Sequence, residues 1–184
     1  MWHGSWCEAE QELLDARDHL MVNRPSWLAE ALVRLGDLRR RQGRRAEAEA
    51  LFEQAAEHPL AQLGLAELGL DRDDAVTARD LLERMLRRIP PENRMSRAGP
   101  LELLIRAEIA LGEHSSAAAR LEELRAVAAA VPTQPLRAAV RYSEGLLAAA
   151  AGDHDQACDC FEDAADLFRS SRALDRTRSC RHPR

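Results

Sequence analysis

One spacing recurs along this chain and restricts the fold more than any other feature. A turn-forming residue is followed five positions later by alanine at Gly4/Ala9, Gly43/Ala48, Asp73/Ala78, Gly112/Ala117 and Gly152/Ala157. Four residues beyond each alanine stands a large apolar side chain, Leu13, Phe52, Leu82, Leu121 or Phe161, and three further come Ala16, Ala55, Met85, Leu124 and Ala164. Apolar positions at i, i+4 and i+7 share one face of a helix with 3.6 residues per turn, so each mark opens a helix. Upstream of four marks lies a second helical stripe: Leu28, Leu32, Leu35, Leu38; Leu60, Leu63, Leu65, Leu68; Leu101, Leu104, Ile105, Ile109; and Leu136, Val140, Leu146, Leu147. Short turns make successive helices antiparallel neighbours. The pattern predicts helices near 5–21, 25–42, 45–57, 59–71, 75–89, 93 or 100–111, 115–130, 134–151 and 154–170.

Composition agrees with helices throughout. The apolar share of the 184 residues, 46%, is carried by Ala and Leu, while aromatics are only 4%. Ala and Leu lose little side-chain freedom in a helix, and residues suited to strands are scarce. No apolar run approaches the roughly 18 residues of a membrane span, and the opening has no signal-peptide core. With Cys7, Cys158, Cys160 and Cys180 forming no CxxC, reduced thiols and a cytoplasmic location are expected, without a membrane partner.

Small residues supply a packing argument. Gly36, Ala66 and Gly145 stand seven residues before the turn marks at 43, 73 and 152. Glycine inside a helix costs about 1 kcal/mol against alanine, so its return in frame calls for close helix approach, with the methyl of Ala48 or Ala157 opposite. Proline places boundaries: Pro59 opens a helix, Pro90-Pro91 closes one, and Pro100 predicts a kink or break.

These residues resemble the tetratricopeptide repeat. Leu35-Gly36, Gly43, Ala48, Phe52 and Ala55 match its motif best, followed by Gly145, Gly152, Ala157, Phe161 and Ala164. The resemblance implies an all-α, tetratricopeptide-like α-solenoid of about nine helices. The turn marks are 39, 30, 39 and 40 residues apart, so the helices should be uneven in length. The stretches WLAEALVRLGDLRRRQGR, HPLAQLGLAELGLDR, MLRRIPPENRMSRA, YSEGLLAAAAGDHDQA and CFEDAADLF also resemble the helical-repeat region of LuxR-type transcription regulators. That likeness implies a regulatory or assembly segment of a bacterial regulator, here without its ATPase and DNA-binding modules.

Chemistry-bearing clusters are few. The 31 acidic residues against 26 basic give a net charge of −5, the wrong sign for a direct nucleic-acid ligand. Every basic residue is Arg, which excludes lysine nucleophiles and the phosphate-loop lysine. His154, Cys158 and Cys160 offer too few ligands for a structural metal. No nucleophile, base and orienter stand together, so neither an enzyme nor a cofactor is expected. The run Arg39, Arg40, Arg41, Arg44, Arg45 reads as a solvated helix end favoured by the helix dipole.

The remaining surface is the face lined by the first helix of each pair. It places Glu30, Val33, Asp37 and Arg40, then Leu63, Glu67 and Leu70, then Glu102 and Arg106, and lastly Tyr142 and Leu146 in a protein-binding groove. Acids mixed with Leu and Tyr suit a basic and apolar peptide. Tyr142 either anchors a partner or fills a core gap. The repeat domain is expected over 1–170, with an Arg-rich disordered tail over 171–184. Phe161, Ala164 and Phe168 lack a covering helix, which predicts either a truncated chain or a homo-oligomer through this face. A small-molecule effector in the groove is the remaining alternative.

Overall fold

A computed structural model describes residues 6–24 and 27–179, with side chains over 8–24 and 27–170. Among the described residues there are nine α-helices and no strand: α1 Trp6–Asn23, α2 Leu28–Arg41, α3 Arg45–Gln54, α4 Pro59–Leu70, α5 Ala75–Arg88, α6 Arg94–Ala110, α7 His114–Ala130, α8 Gln134–Ala150 and α9 His154–Ser179. The all-α helical-repeat class and the order of elements follow the spacing. The chain forms two compact units, Met1–Asp74 and Ala75–Arg184. In the first, α2 packs on α1, α3 and α4; in the second, α6 packs on α5, α7 and α8, and α8 on α9.

Four of the five turn marks share one hydrogen-bonding device, and the first, at Gly4, lies outside the described residues. The amide of Arg44 donates to the Arg39 carbonyl and that of Gly43 to Arg40. The pairs Asp74/Gly69 with Asp73/Leu70, Glu113/Glu108 with Gly112/Ile109, and Asp153/Ala148 with Gly152/Ala149 repeat it. This double closure requires a left-handed residue at its centre, which is why glycine punctuates the sequence. Gly43, Gly112 and Gly152 have φ of 78°, 76° and 83°, and Asp73 adopts 61°. An L side chain in that region costs about 1 to 2 kcal/mol, less for Asp than for most. Asp73→Gly should therefore raise the melting temperature by a few degrees in thermal denaturation followed by circular dichroism, and Gly43→Ala should lower it. No change in either variant would remove this account of the punctuation.

The in-frame glycines fill another need. A Cβ on Gly36 would lie 2.6 Å from Cε1 of Phe52, and one on Gly145 would lie 2.6 Å from Cε1 of Phe161. A Cβ added to Gly64 on α4 would collide with the same Phe52 ring. Close approach is thus present, but its partner is the ring of the next helix and not the expected alanine methyl. Ala48 and Ala157 are buried beside these sockets. Phe52 is wholly enclosed, in a core with Leu32, Val33, Ala61 and Leu68. By contrast Ala9, the equivalent alanine of α1, is exposed, since no described helix precedes α1 to cover it.

Of the two starts expected for α6, near 93 or at 100, the structure has the first: α6 is a single helix across Pro100, without a break. Pro100 withholds only the amide that would reach the Ser96 carbonyl, and its ring is buried. The turn before Pro100 is held from outside: Arg97 donates to the carbonyls of Leu86 and Ile89, each at 3.0 Å, and pairs with Glu123. At the other end, the helical backbone of α9 continues to Ser179, past the bound near 170 where the apolar stripe stops. Its Arg, Ala and Leu residues favour helix without an apolar face, and neither Gly nor Pro interrupts them. The rest of the expected tail, 180–184, lies outside the described residues, as does Cys180.

Candidate functional site

In the first unit, Arg41, Arg44 and Arg45 are exposed as expected of a solvated helix end, whereas Arg39 and Arg40 are built into the structure. Arg39, with only 7% of its side chain exposed, reaches Glu10 of α1 at 2.6 Å and Glu47 of α3 at 3.4 Å. Arg40 binds Glu67 at 2.8 Å and Asp71 at 3.0 Å, with Asp37 at 3.4 Å. Arg41 pairs with Asp37, and Arg44 with Glu47 and Glu10. One turn of α2 thus joins α1, α3 and α4 through charge-assisted bonds, which are stronger than neutral ones.

This reorganises the binding face expected here. Asp37, Arg40 and Glu67 come together, but they neutralise one another. Glu30 pairs with Arg34 at 2.8 Å and lies 3.6 Å from His58. Leu63 and Leu70 are half-buried, whereas Val33, at 5% exposure, belongs to the core and presents nothing to a partner. A second apolar groove separates α1 from α2, lined by Leu13, Ala16, Leu20, Trp27 and Ala31 among others, with Trp27 itself exposed.

In the second unit, Glu102, Arg106 and Leu146 are half-buried. Tyr142 is half-buried and packs against Phe161, ring centroids 5.6 Å apart and planes at 48°. Glu108 is enclosed at 2% exposure, 3.5 Å from Arg120, with Oε2 unpartnered. Burial is the main cause pushing its carboxyl above the usual range, only partly opposed by Arg120. Ser143, also buried, returns its hydroxyl to the Ala139 carbonyl at 2.9 Å.

A further groove has no counterpart in the helical stripes of the sequence. A groove of about 790 Å³ runs between the end of α7, the start of α8 and the second half of α9. Ala128, Ala129, Val140 and Leu167 supply apolar lining, and Arg125, Arg137, Arg141, Gln134, Asp163 and Asp166 its polar groups. At 100° per residue, Arg137, Val140 and Arg141 fall on the side of α8 turned away from Tyr142 and Leu146. Arg141 is held by Glu144 at 2.7 Å and Asp163 at 2.5 Å, which raise its pKa. Arg125 is held by Glu144 at 2.7 Å and by Glu122. The signal in the sequence is the Arg137/Arg141 pair at i, i+4 beside Val140, a position the apolar stripe counts toward the core.

Metal-ligating groups do not gather among the described residues: no three His, Cys, Asp or Glu side chains stand together. Cys160 is buried, which raises its thiol pKa, while Cys158 is exposed. No helix among the described residues is long and apolar enough to cross a membrane. A model of the tetratricopeptide repeat matches residues 28–93 and 103–175, spanning both units. No curated protein matches the chain.

Proposed function

Because the chain belongs to the tetratricopeptide-repeat family, we propose that it is a non-enzymatic protein-binding scaffold. The open groove of the second unit carries this reading, since it combines an apolar floor with polar walls in the manner of a recognition site. The motif stretches quoted from the sequence support a role as the regulatory segment of a LuxR-type transcription regulator, acting in the cytoplasm. The surface at Glu67 in the first unit and that at Glu102 in the second are each proposed for a basic, apolar segment, although Arg40 already holds part of the acidic capacity at Glu67. Immobilised full-length chain should retain a protein at near-stoichiometric level. Retention of none, together with saturable thermal stabilisation by a metabolite, would overturn this in favour of effector binding.

One observation favours a second reading, self-association. Phe168 on α9 is 45% exposed, beside the half-buried Leu167. Sedimentation should then show a dimer that Phe168→Asp converts to a monomer. A monomer before and after the substitution would contradict it.

A further inference from the structure

Resting on the scaffold reading, we propose that the groove between α7, α8 and α9 binds a protein segment that presents a carboxylate beside an aliphatic side chain. This partner is opposite in charge to those suited to the acidic surfaces at Glu67 and at Glu102. The argument begins with which charges are still available. Asp163 is taken by Arg141 and Asp166 by Arg169, so an entering cation meets acids that are already paired. Arg125 and Arg141 are likewise held by Glu122, Glu144 and Asp163. Arg137 lines the groove, is exposed, and has no ion pair among the described residues. An entering carboxylate therefore finds a fork of donors with no competing anion to displace.

Two further features choose a polypeptide among carboxylate-bearing ligands. Gln134, at the first turn of α8, lines the same groove, and its Oε1 is buried without a hydrogen-bond partner. A buried acceptor left unmade costs about 1 to 3 kcal/mol, so a ligand that brings a donor is favoured. Every non-proline residue of a peptide offers one such N–H, whereas a simple aliphatic acid offers none. The apolar lining, Ala128, Ala129, Val140 and Leu167, contains no aromatic ring and is shaped by methyl groups, which fits Leu, Ile or Val. Carboxylate at Arg137, backbone amide at Gln134 and an aliphatic side chain on the alanines thus define one extended segment.

Selection of a displayed library of random peptides on the full-length chain tests this. The enriched sequences should place Asp or Glu next to an aliphatic residue. Fluorescence anisotropy with the most enriched peptide should show a loss of about tenfold or more for Arg137→Glu, with Arg137→Lys intermediate, as expected for a charge-assisted hydrogen bond. Ala129→Arg, which fills the floor, should abolish binding, with circular dichroism of each variant unchanged. Enriched peptides that are basic, or binding that ignores Arg137 and Ala129, would overturn the groove assignment. If their binding instead falls with Glu67→Arg and Glu102→Arg, the scaffold reading survives and this inference alone fails. Enrichment of no peptide would defeat both.

Discussion

Phe52→Ala is expected to cost the first unit about 3 to 5 kcal/mol, measured as a fall in the midpoint of urea unfolding. The ring is 0% exposed and lies between Gly36 of α2 and Gly64 of α4, so it is the common contact of three helices. Removing it leaves a cavity with glycine on two sides. Glycine has no side chain to relax into the space, so collapse would require the helices themselves to move. Typical domains are stable by only about 5 to 15 kcal/mol, and the loss should show as partial unfolding near physiological temperature. A change below about 1 kcal/mol would mean that the ring does not hold this unit together.

Arg39→Ala should be the second most damaging substitution, at about 1 to 3 kcal/mol, because it removes an enclosed guanidinium that bridges two partly exposed carboxylates. Glu10 and Glu47 lose Arg39 and keep only Arg44 as a cation, and Gln42 loses a hydrogen bond of 3.0 Å. Arg39→Met combined with Glu10→Leu should regain much of the loss, since apolar packing can replace a buried ion pair. If the double substitution is as damaging as Arg39→Ala alone, packing and not charge pairing explains the effect. The pair also predicts a pH response. Hydrogen bonds from Arg39, and then Gln42, hold the Glu10 carboxyl below its ordinary value of 4.5. A depressed folded-state pKa gives stability that is full above the unfolded value and is lost as pH falls through the folded one. Amide exchange in α1 should therefore accelerate below about pH 4.5, after correction for intrinsic rates, and that acid response should vanish in the Arg39→Met, Glu10→Leu chain. An unchanged response would assign it to other carboxylates.

The legibility of this chain follows from which physical terms are local. Helix existence and most ends were readable, because the turn at Gly43 or Gly152 is fixed by its own φ and the stripe by its own period. Even Asp73 in place of glycine kept its position and its left-handed backbone. The partner of Gly36 was only half readable: the sequence demanded closeness, but whether Ala48 or Phe52 fills the space depends on how far α3 is rotated about its axis. Arg39 and Arg40 were misread because charge counting along one helix cannot see Glu10 or Glu67, which arrive from other helices. Val33 fails as a binding residue for a related reason, since α4 also packs on α2 and covers that side. The groove at Arg137 lies furthest from sequence logic. It exists only once α7, α8 and α9 are placed together, and its residues come from three segments.

Socket and ring also covary along the chain at a spacing of sixteen residues. Gly36 and Gly145 precede Phe52 and Phe161, whereas Ile105 precedes the smaller Leu121, also buried. The most direct test of the account is a double-mutant cycle in the second unit, using Gly145→Ala and Phe161→Leu with stability read from urea unfolding. In the native background the added methyl meets the Phe161 ring, and overpacking should destabilise by about 1 to 3 kcal/mol. In the Phe161→Leu background the clash is relieved, and the helix preference of Ala over Gly, about 1 kcal/mol, should make the same change stabilising. A reversal of sign between the two backgrounds is the predicted result. The same sign and size in both would show that the glycine is not a socket for the ring.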